Sequence, residues 1–495
     1  MVNRHIIRIL LAIFSGILAF LACSPYGHGG IAYVALIPLF ISLGFPIQSS
    51  RQAFWTLFIF GLVFMGGMYG WVFSLKAWAP LWGVSLAWMA IIVFQALFYG
   101  VVGLFTSWAS VRWQLVAFFC FYLGFEWIRE MMGPIGSSLG QLGYSQISLL
   151  PILQTASLWG VIGVSGIVVL GNYILFAVGS NVINRSWPSK WVVIAILALI
   201  GCGIWGQYRL TSIPVSSNSI RVGIVQGNHP QALKFSRHRQ WEIWQDYFRL
   251  ISTLPPVDIV LLPETVTPGL NLGLRSVMTT LRDLASRDSS TILFGTPVKM
   301  DGCYYNSIAS VTTEGAGPVV YQKTRLMPFG EYWPCRSLFI SLGLSGILSN
   351  CDYTKAPALV PWKVGSLVYG PLVCLESIYS ECARSHAEQG AQMLLSVANN
   401  GWFIGSRISG TLLGMTQSRA IETGLPLIHV SNQGISSMFS NRGVVIMSIP
   451  QGIAGVAASE LPLVSEPTFF VKAGYYFAPV LLVIGALLIA IKKRD

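Results

Sequence analysis

A bundle of about eight membrane-crossing α-helices joined to one layered α/β domain outside the cytoplasm is the fold class this sequence predicts. Three observations predict it. Hydrophobic residues make up 54% of the 495 and charged residues only 10%, against roughly 25% charged in soluble domains. Uncharged apolar runs long enough to cross about 30 Å of hydrocarbon crowd the first 210 residues. Beyond them the pattern changes to short strand-like runs separated by helical stretches.

Taken in order, the apolar runs fall near 6–23, 31–45, 54–73, 81–107, 113–128, 158–182 and 190–206, and an eighth closes the chain at 473–491. The second and fifth are short, so their boundaries are soft. Residues 1–23 read as a retained first helix, because further spans follow at once and no small-residue cleavage site stands after it. Lys and Arg gather in alternate loops, as Arg4 and Arg8, Arg51, Arg112, Arg185 and Lys190, then Lys492, Lys493 and Arg494. The opposite loops hold little beyond Lys76 and Arg129. Positive charge marks the cytoplasmic side, so both termini are expected there and the 210–470 segment on the far face. The expected division is a transmembrane domain at 1–210, an extracytoplasmic domain at 218–466 and a C-terminal membrane helix at 470–495. Part of the net charge of +12, from 31 basic and 19 acidic residues, is this topological signal. The rest suits a surface near anionic headgroups, and no basic-aromatic stripe or other nucleic-acid motif is present.

The serine-rich SIPVSSNS (212–219) reads as a linker. After it, SIRVGIVQG, DIVLLPET, STILFGTPV, YYNSIASV, SLVYGPLVC, AQMLLSVANN and PLIHVSNQG are β-rich runs, with helical stretches at 236–252, 273–288 and 405–423. Strands alternating with helices over about 250 residues argue for a single layered α/β unit. One insert differs: in SLFISLGLSGILS, Ser337, Ser341, Ser345 and Ser349 form one weakly polar stripe on an apolar helix. Such a helix either packs on its own domain or rests as a flap on the membrane.

Of eight cysteines, Cys23, Cys120 and Cys202 lie in the apolar runs, and Cys303, Cys335, Cys351, Cys374 and Cys382 lie outside them. Five is odd, so an oxidising compartment leaves at least one thiol free. Cys335 and Cys351 could bridge a loop, and Cys374 is the candidate for the free thiol. In GPLVCLESIYSE (370–381) it stands where an apolar run turns acidic and helix-like, a position for packing or for a nucleophile.

A thiol attacks as thiolate and needs a base or a local positive charge. Of the six histidines (His5, His28, His229, His238, His386 and His429), only His386 and His429 remain as conceivable partners, and no motif flanks either. None of the six has metal-ligand spacing with Cys or Asp, so neither a metal nor a cofactor is expected. A carboxylate and a lysine are the other activators. LLPET ends an apolar run in Glu264, where desolvation can raise a carboxyl into the range useful for proton transfer. YQKTRLMPFGEYWP offers Lys323 and Glu331, and an ammonium facing the thiol would favour thiolate and hold an oxyanion. Each alone is an ordinary surface residue. Three such segments in order are stronger.

LLPET, YQKTRLMPFGEYWP and GPLVCLES, in that order, resemble the glutamate, lysine and cysteine segments of the nitrilase superfamily. With the eight-span frame, VQGNHPQALKF (225–235), EWIR (126–129) and GYSQ (143–146), nearly the whole chain resembles the apolipoprotein N-acyltransferase family of the bacterial inner membrane. The resemblance implies an αββα sandwich with Glu264 as general base, Lys323 as oxyanion stabiliser and Cys374 as nucleophile. Glu331 would hold Lys323 or relay a proton, and Glu376 would fix the turn after the cysteine. Phe235 and Trp402 would line the acyl or acceptor groove. The expected donor is a membrane phospholipid and the acceptor a diacylated apolipoprotein, with the protein a monomer that binds no nucleic acid. Topology narrows the chemistry independently: outside the cytoplasm neither acyl-CoA nor ATP is at hand, so the acyl group must come from a preactivated ester.

Several positions depart from the family pattern. Leu375 stands where Tyr is usual, and NNGWFI (399–404) replaces Asn-Asp-Ala-Trp-Phe-Gly, with Asn400 in place of an acid. The usual Trp-Gln-His is absent from RISGTLLGMTQSRAIE, Phe235 replaces a Trp, and PIGSSLGQL replaces a Gly-Phe-Pro-Trp stretch. These departures bear on donor and acceptor preference and keep open a divergent paralogue with a silent triad. A hydrolase of the same fold, with water as acceptor, is a second alternative. A transporter built on the eight spans is a third, disfavoured because few charged residues lie within them. Glu126 and Arg129, one helical turn apart near the end of the fifth span, are expected to pair.

Overall fold

The computed structural model describes residues 4–183, 189–212, 218–234, 236–268, 275–341, 352–364, 367–463 and 467–492. Five helices are long and apolar enough to cross a membrane: Arg4–Ala22, Ser50–Met68, Leu81–Trp108, Ala156–Asn181 and Lys190–Thr211. The other three predicted runs form helices that are shorter, Gly29–Leu43 and Phe477–Ile491, or carry more charge, as Gln114–Met131 does with Glu126, Arg129 and Glu130. Helices 50–68 and 81–108 pack with their backbones close together. A Cβ on Gly103 would stand 2.4 Å from the Ala53 carbonyl oxygen, so glycine is required at this crossing.

Glu126 and Arg129 take separate partners rather than each other. Arg129 donates from Nη1 to the Tyr99 hydroxyl at 2.8 Å and from Nη2 to the Leu139 carbonyl at 2.7 Å, while Glu126 accepts from the Leu142 N–H at 2.8 Å. The charged end of helix 114–131 faces the irregular segment 136–149, whose free backbone groups compete successfully for both side chains.

Twelve strands make two six-stranded sheets among the described residues. The first, in the order β12-β1-β2-β3-β4-β5, contains β1 (Ser219–Gln226), β2 (Ile259–Leu261), β3 (Thr291–Met300), β4 (Cys303–Thr312), β5 (Gly315–Gln322) and β12 (Gly455–Pro462). The second, β11-β10-β9-β8-β7-β6, contains β6 (Trp362–Val364), β7 (Leu367–Val373), β8 (Met393–Ala398), β9 (Leu427–Ser431), β10 (Ser436–Phe439) and β11 (Val445–Ile449). In each sheet three central strands are parallel, β1-β2-β3 and β7-β8-β9, with antiparallel strands at the edges. MLLSVA of β8 is buried throughout, as a parallel strand covered on both faces must be.

The sheets face each other across one apolar layer in which Val222, Ile224, Leu261 and Leu293 meet Val373, Leu395, Val397 and Val430. Helices Gln240–Ser252 and Arg275–Asp288 cover the outer face of the first sheet through Trp244, Tyr247, Val277 and Leu281. Helices Ser380–Glu388 and Ile408–Thr423 cover the second, and their apolar cluster runs without a break into that of the membrane helices. The result is the αββα sandwich the resemblance implied, with one helical layer shared by sheet and membrane bundle. Residues 342–349 of the insert lie outside the described residues, and the described part is helical as Arg336–Ser341. The Cys335–Cys351 pairing lies outside them as well, since Cys351 does.

Candidate active site

The C-terminal ends of the central strands converge on one point. β7 ends at Val373, and Cys374 opens the tight helical turn Cys374–Ile378 with φ 54°. A β-carbon in this left-handed region is strained, and proteins keep such strain where a turn must present a particular side chain. Buried Glu376 pins the turn. Its Oε2 accepts the Val373 N–H at 2.9 Å, and its Oε1 accepts the Thr324 N–H and Oγ1 at 2.7 Å each, the Tyr321 hydroxyl at 2.9 Å and the Arg325 N–H at 3.1 Å. The same carboxyl therefore ties the nucleophile turn to the loop that carries Lys323. Burial pushes the Glu376 pKa up, and these donors pull it back.

Glu264 leaves β2 on the neighbouring sheet, and its N–H donates to the Ala398 carbonyl at the end of β8 at 3.3 Å, which fastens the two sheets together at the site. A Cβ on Gly295 of β3 would lie 2.5 Å from the Glu264 Cα, so only glycine lets the strand run beneath this segment. Lys323 follows β5, its N–H bonded to the Asn306 carbonyl at 2.8 Å. Its ammonium, on a side chain 1% exposed, lies 2.9 Å from Glu331 and 3.7 Å from Glu264. Asn306 spans both carboxylates, with Nδ2 donating to Glu264 Oε1 at 2.7 Å and to Glu331 Oε1 at 2.6 Å. The Met327 N–H takes the second oxygen of Glu331 at 2.7 Å. The charges of Glu264, Lys323 and Glu331 all act on the Cys374 thiol. Glu264, Lys323, Cys374 and Glu331 thus form one contiguous network, with Glu376 bracing it.

The charges of the site are unequal in strength. Burial works against the Lys323 ammonium, but the carboxylates of Glu331 and Glu264 outweigh it and hold the lysine protonated. Burial raises the Cys374 pKa, the Glu264 charge raises it further, and Lys323 offsets only part of this. Lys323 thus favours the thiolate, as expected, while burial and the Glu264 charge favour the neutral thiol. A thiol that attacks must lose its proton, and Glu264 is the carboxylate whose charge acts most strongly on this one.

A small apolar cavity adjoins the thiol, lined by Met327, Leu375, Ile378, Phe403 and Leu412, with Ser377, Asn400 and His429 as polar members. His429 shares a hydrogen bond with Ser396 at 2.9 Å, and burial lowers its pKa to about 4. His386 packs edge-on against Tyr321, and burial lowers it also to about 4. The charges that act most on the thiol are those of Glu264, Lys323 and Glu331, not of either histidine. Trp402 meets Trp78 of the membrane half edge-on with ring centroids 5.1 Å apart; its neighbour Phe403, against Trp71 at 4.9 Å, is the member of this turn that lines the cavity. Phe235 lies outside the described residues. Among the described residues no group of three His, Cys, Asp or Glu side chains could hold a metal ion.

The Cys374–Ile378 turn is also bolted to the membrane half. The Ile378 carbonyl accepts from Ser138 Oγ and from Arg419 Nη1, each at 3.2 Å, and the Tyr379 hydroxyl donates to the Gly136 carbonyl at 2.8 Å. Arg325 lies over the Tyr379 ring at 3.3 Å and donates to the Glu130 carbonyl at 3.1 Å. Arg419 pairs with Glu422 at 3.1 Å, both fully buried, and donates to Ser380 Oγ at 2.5 Å and to the Tyr144 hydroxyl at 2.9 Å.

Asn306, Phe403 and Lys234 belong to this centre without having been singled out by motif. Asn306 could be suspected as an amide amid the apolar half of β4, and Lys234 as the one basic residue of VQGNHPQALKF. Phe403 has no mark beyond its place beside Trp402.

The description "Apolipoprotein N-acyltransferase N-terminal domain" matches residues 15–174, and "Carbon-nitrogen hydrolase" matches residues 221–466. An apolipoprotein N-acyltransferase of Vibrio vulnificus is 30% identical over 474 residues, which cover 92% of this chain and 91% of that one. One of Geobacter metallireducens is 28% identical over 486 residues, 95% of this chain and 92% of the relative. The chain belongs to the apolipoprotein N-acyltransferase family.

Proposed function

We propose that this membrane protein moves an acyl chain from a phospholipid, through a thioester on Cys374, to the α-amine of an apolipoprotein's N-terminal diacylglyceryl-cysteine. The observation that carries this is the buried Lys323 ammonium between Glu331 at 2.9 Å and Glu264 at 3.7 Å, with Asn306 joining the two carboxylates, beside the turn that Cys374 opens. In the first half-reaction Sγ attacks the ester carbonyl while Glu264 takes the thiol proton, and Lys323 holds the oxyanion of the tetrahedral intermediate. The carbon–oxygen bond then breaks, Glu264 returns the proton to the departing alkoxide, and a lysophospholipid leaves. In the second, the acceptor amine attacks the thioester, Glu264 accepts its proton, and the thiolate leaves and is reprotonated as the amide forms. Glu331 keeps Lys323 in place, and Glu376 fixes the turn. Phe235 and Trp402, with Phe403, flank the path of the acyl chain or acceptor.

The setting we propose is a bacterial inner membrane, with 1–210 and 470–495 forming eight spans, both termini cytoplasmic, and 218–466 in the periplasm, acting as a monomer without a cofactor. Exposing the purified protein to phospholipid should add a hydroxylamine-labile acyl mass to Cys374, and a diacylated lipopeptide should discharge it as amide. No adduct on wild-type protein, or transfer surviving in C374S, would refute the cycle; free fatty acid in place of acylated peptide would favour the hydrolase.

A further inference from the structure

Lys234 ends the single helical turn Gln231–Lys234 after β1 and is 1% exposed. An ammonium has three donors to satisfy. Among the described residues the hydrogen bond it makes is to the main-chain carbonyl of Glu264, at 3.4 Å, and no carboxylate oxygen stands within ion-pair distance of it. A buried cation so poorly matched is costly. On the far side of Glu264, the Lys323 ammonium is shared between two carboxylates, Glu264 and Glu331, which Asn306 draws onto one amide nitrogen. Two carboxylates this close repel each other, and Lys323 alone balances one of their two charges.

Resting on the assignment of Glu264 as general base, we propose that Lys234 is a positioning residue for acyl transfer, supplying from behind the Glu264 main chain the second cation that keeps the Glu264–Glu331 pair ionised. The charged and titratable groups that face it are Glu264 and His229. Burial lowers the Lys234 pKa to about 7, while the Glu264 charge pulls it upward. Below neutral pH, where a general base risks being protonated, Lys234 carries its proton and opposes that loss. His229, whose own pKa burial lowers and Lys234 lowers further, adds little positive charge there.

The test is the pH dependence of thioester formation on the full-length protein with phospholipid vesicles, read as acyl mass on Cys374 against time from pH 5 to 9. In wild type the rate should rise along an acid limb as Glu264 ionises. In K234M that limb should move upward by about one pH unit, a tenfold loss of rate on its acid side. K234R should leave it in place. If K234M does not fold, K234Q, which can keep the hydrogen bond to the Glu264 carbonyl without the charge, should show the same displacement. A K234M or K234Q profile that superimposes on wild type after scaling, or a K234R limb displaced like that of K234M, overturns the proposal while leaving the acyl-enzyme intact. No adduct on wild type at any pH overturns the base assignment, and Lys234's role with it.

Discussion

The Lys323 ammonium and the Glu331 carboxylate meet at 2.9 Å. That is closer than Lys323 comes to Glu264, at 3.7 Å, so Glu331 keeps the lysine from collapsing onto the base and quenching it. E331Q preserves the shape and a hydrogen bond but removes the charge, and Lys323 is then drawn to Glu264. We expect acyl-enzyme formation to fall by about 10²-fold, the scale for removing a group that aligns an oxyanion donor. A time course of intact mass measures it. A rate within about twofold of wild type would reduce Glu331 to a plain ion-pair partner.

Cys374 holds φ at 54° with a β-carbon present, which costs of order 1–3 kcal/mol at a non-glycine residue. C374A and C374G both abolish the adduct, but they should differ in stability. At an ordinary position glycine is the weaker choice; here C374G should be about 1 kcal/mol more stable than C374A. Thermal melts of the two variants in one detergent decide this. The reverse order would show that the turn is not strained in solution.

The parts of the fold that hydrophobic periodicity writes into sequence were legible: the long apolar helices and the seven runs that became β1 to β4 and β7 to β9. β5, β6, β10, β11 and β12 were not, because GAGPVVYQ, WKV, SSMF, VIMSI and GVAASELP are short or rich in small and polar residues, and pairing with a neighbour defines them. In the site, Glu264, Lys323 and Cys374 were legible through the order of their segments. The upward push on the thiol pKa was not, since it follows from burial and from the Glu264 charge, which exist only once distant segments meet. Nor were the separate partners of Glu126 and Arg129, for an i,i+3 spacing says two side chains can meet and is silent on a carbonyl that outbids one of them.

His429 is 2% exposed, and burial lowers its pKa to about 4, against roughly 6.5 when unfolded. The folded state therefore favours the neutral ring. Its contribution is whole above about pH 6.5 and is lost as the pH falls toward the folded value, because the unfolded chain binds a proton that the folded chain refuses. Between pH 7 and pH 5, wild type should lose about 2 kcal/mol more than H429Q. Unfolding at the two pH values measures it. Equal losses would mean that the imidazole is solvated, through the cavity beside Cys374.

Cys303 is exposed at the β3–β4 hairpin, far along the chain from any predicted span. If the sandwich lies outside the cytoplasm, a membrane-impermeant maleimide should label Cys303 in intact spheroplasts as fully as after lysis, read by peptide mass. Labelling that appears only after lysis would invert the topology and with it the need for a lipid acyl donor.

Arg419 and Glu422 pair at 3.1 Å with both side chains wholly buried, where the catalytic lobe meets the membrane helices. Glu422 also accepts the Val161 N–H at 2.9 Å from helix 156–183, and Arg419 reaches Tyr144 of the membrane half and the Ile378 carbonyl of the nucleophile turn. Burial raises the Glu422 pKa to about 7, with Arg419 pulling it down, so removing the arginine leaves a carboxylate that must take up a proton or stay unpaired. R419M should cost about 3–5 kcal/mol, the range for breaking one side of a buried pair. R419M/E422Q should lose less than the sum of the two single variants, by about 1–3 kcal/mol of coupling. Because Ile378 and Ser380 belong to the segment that starts at Cys374, R419M should also slow acylation from vesicles, and the double variant should recover part of that rate. Strict additivity in both stability and rate would mean that the two charges act separately, and that the membrane helices position the nucleophile by apolar packing alone.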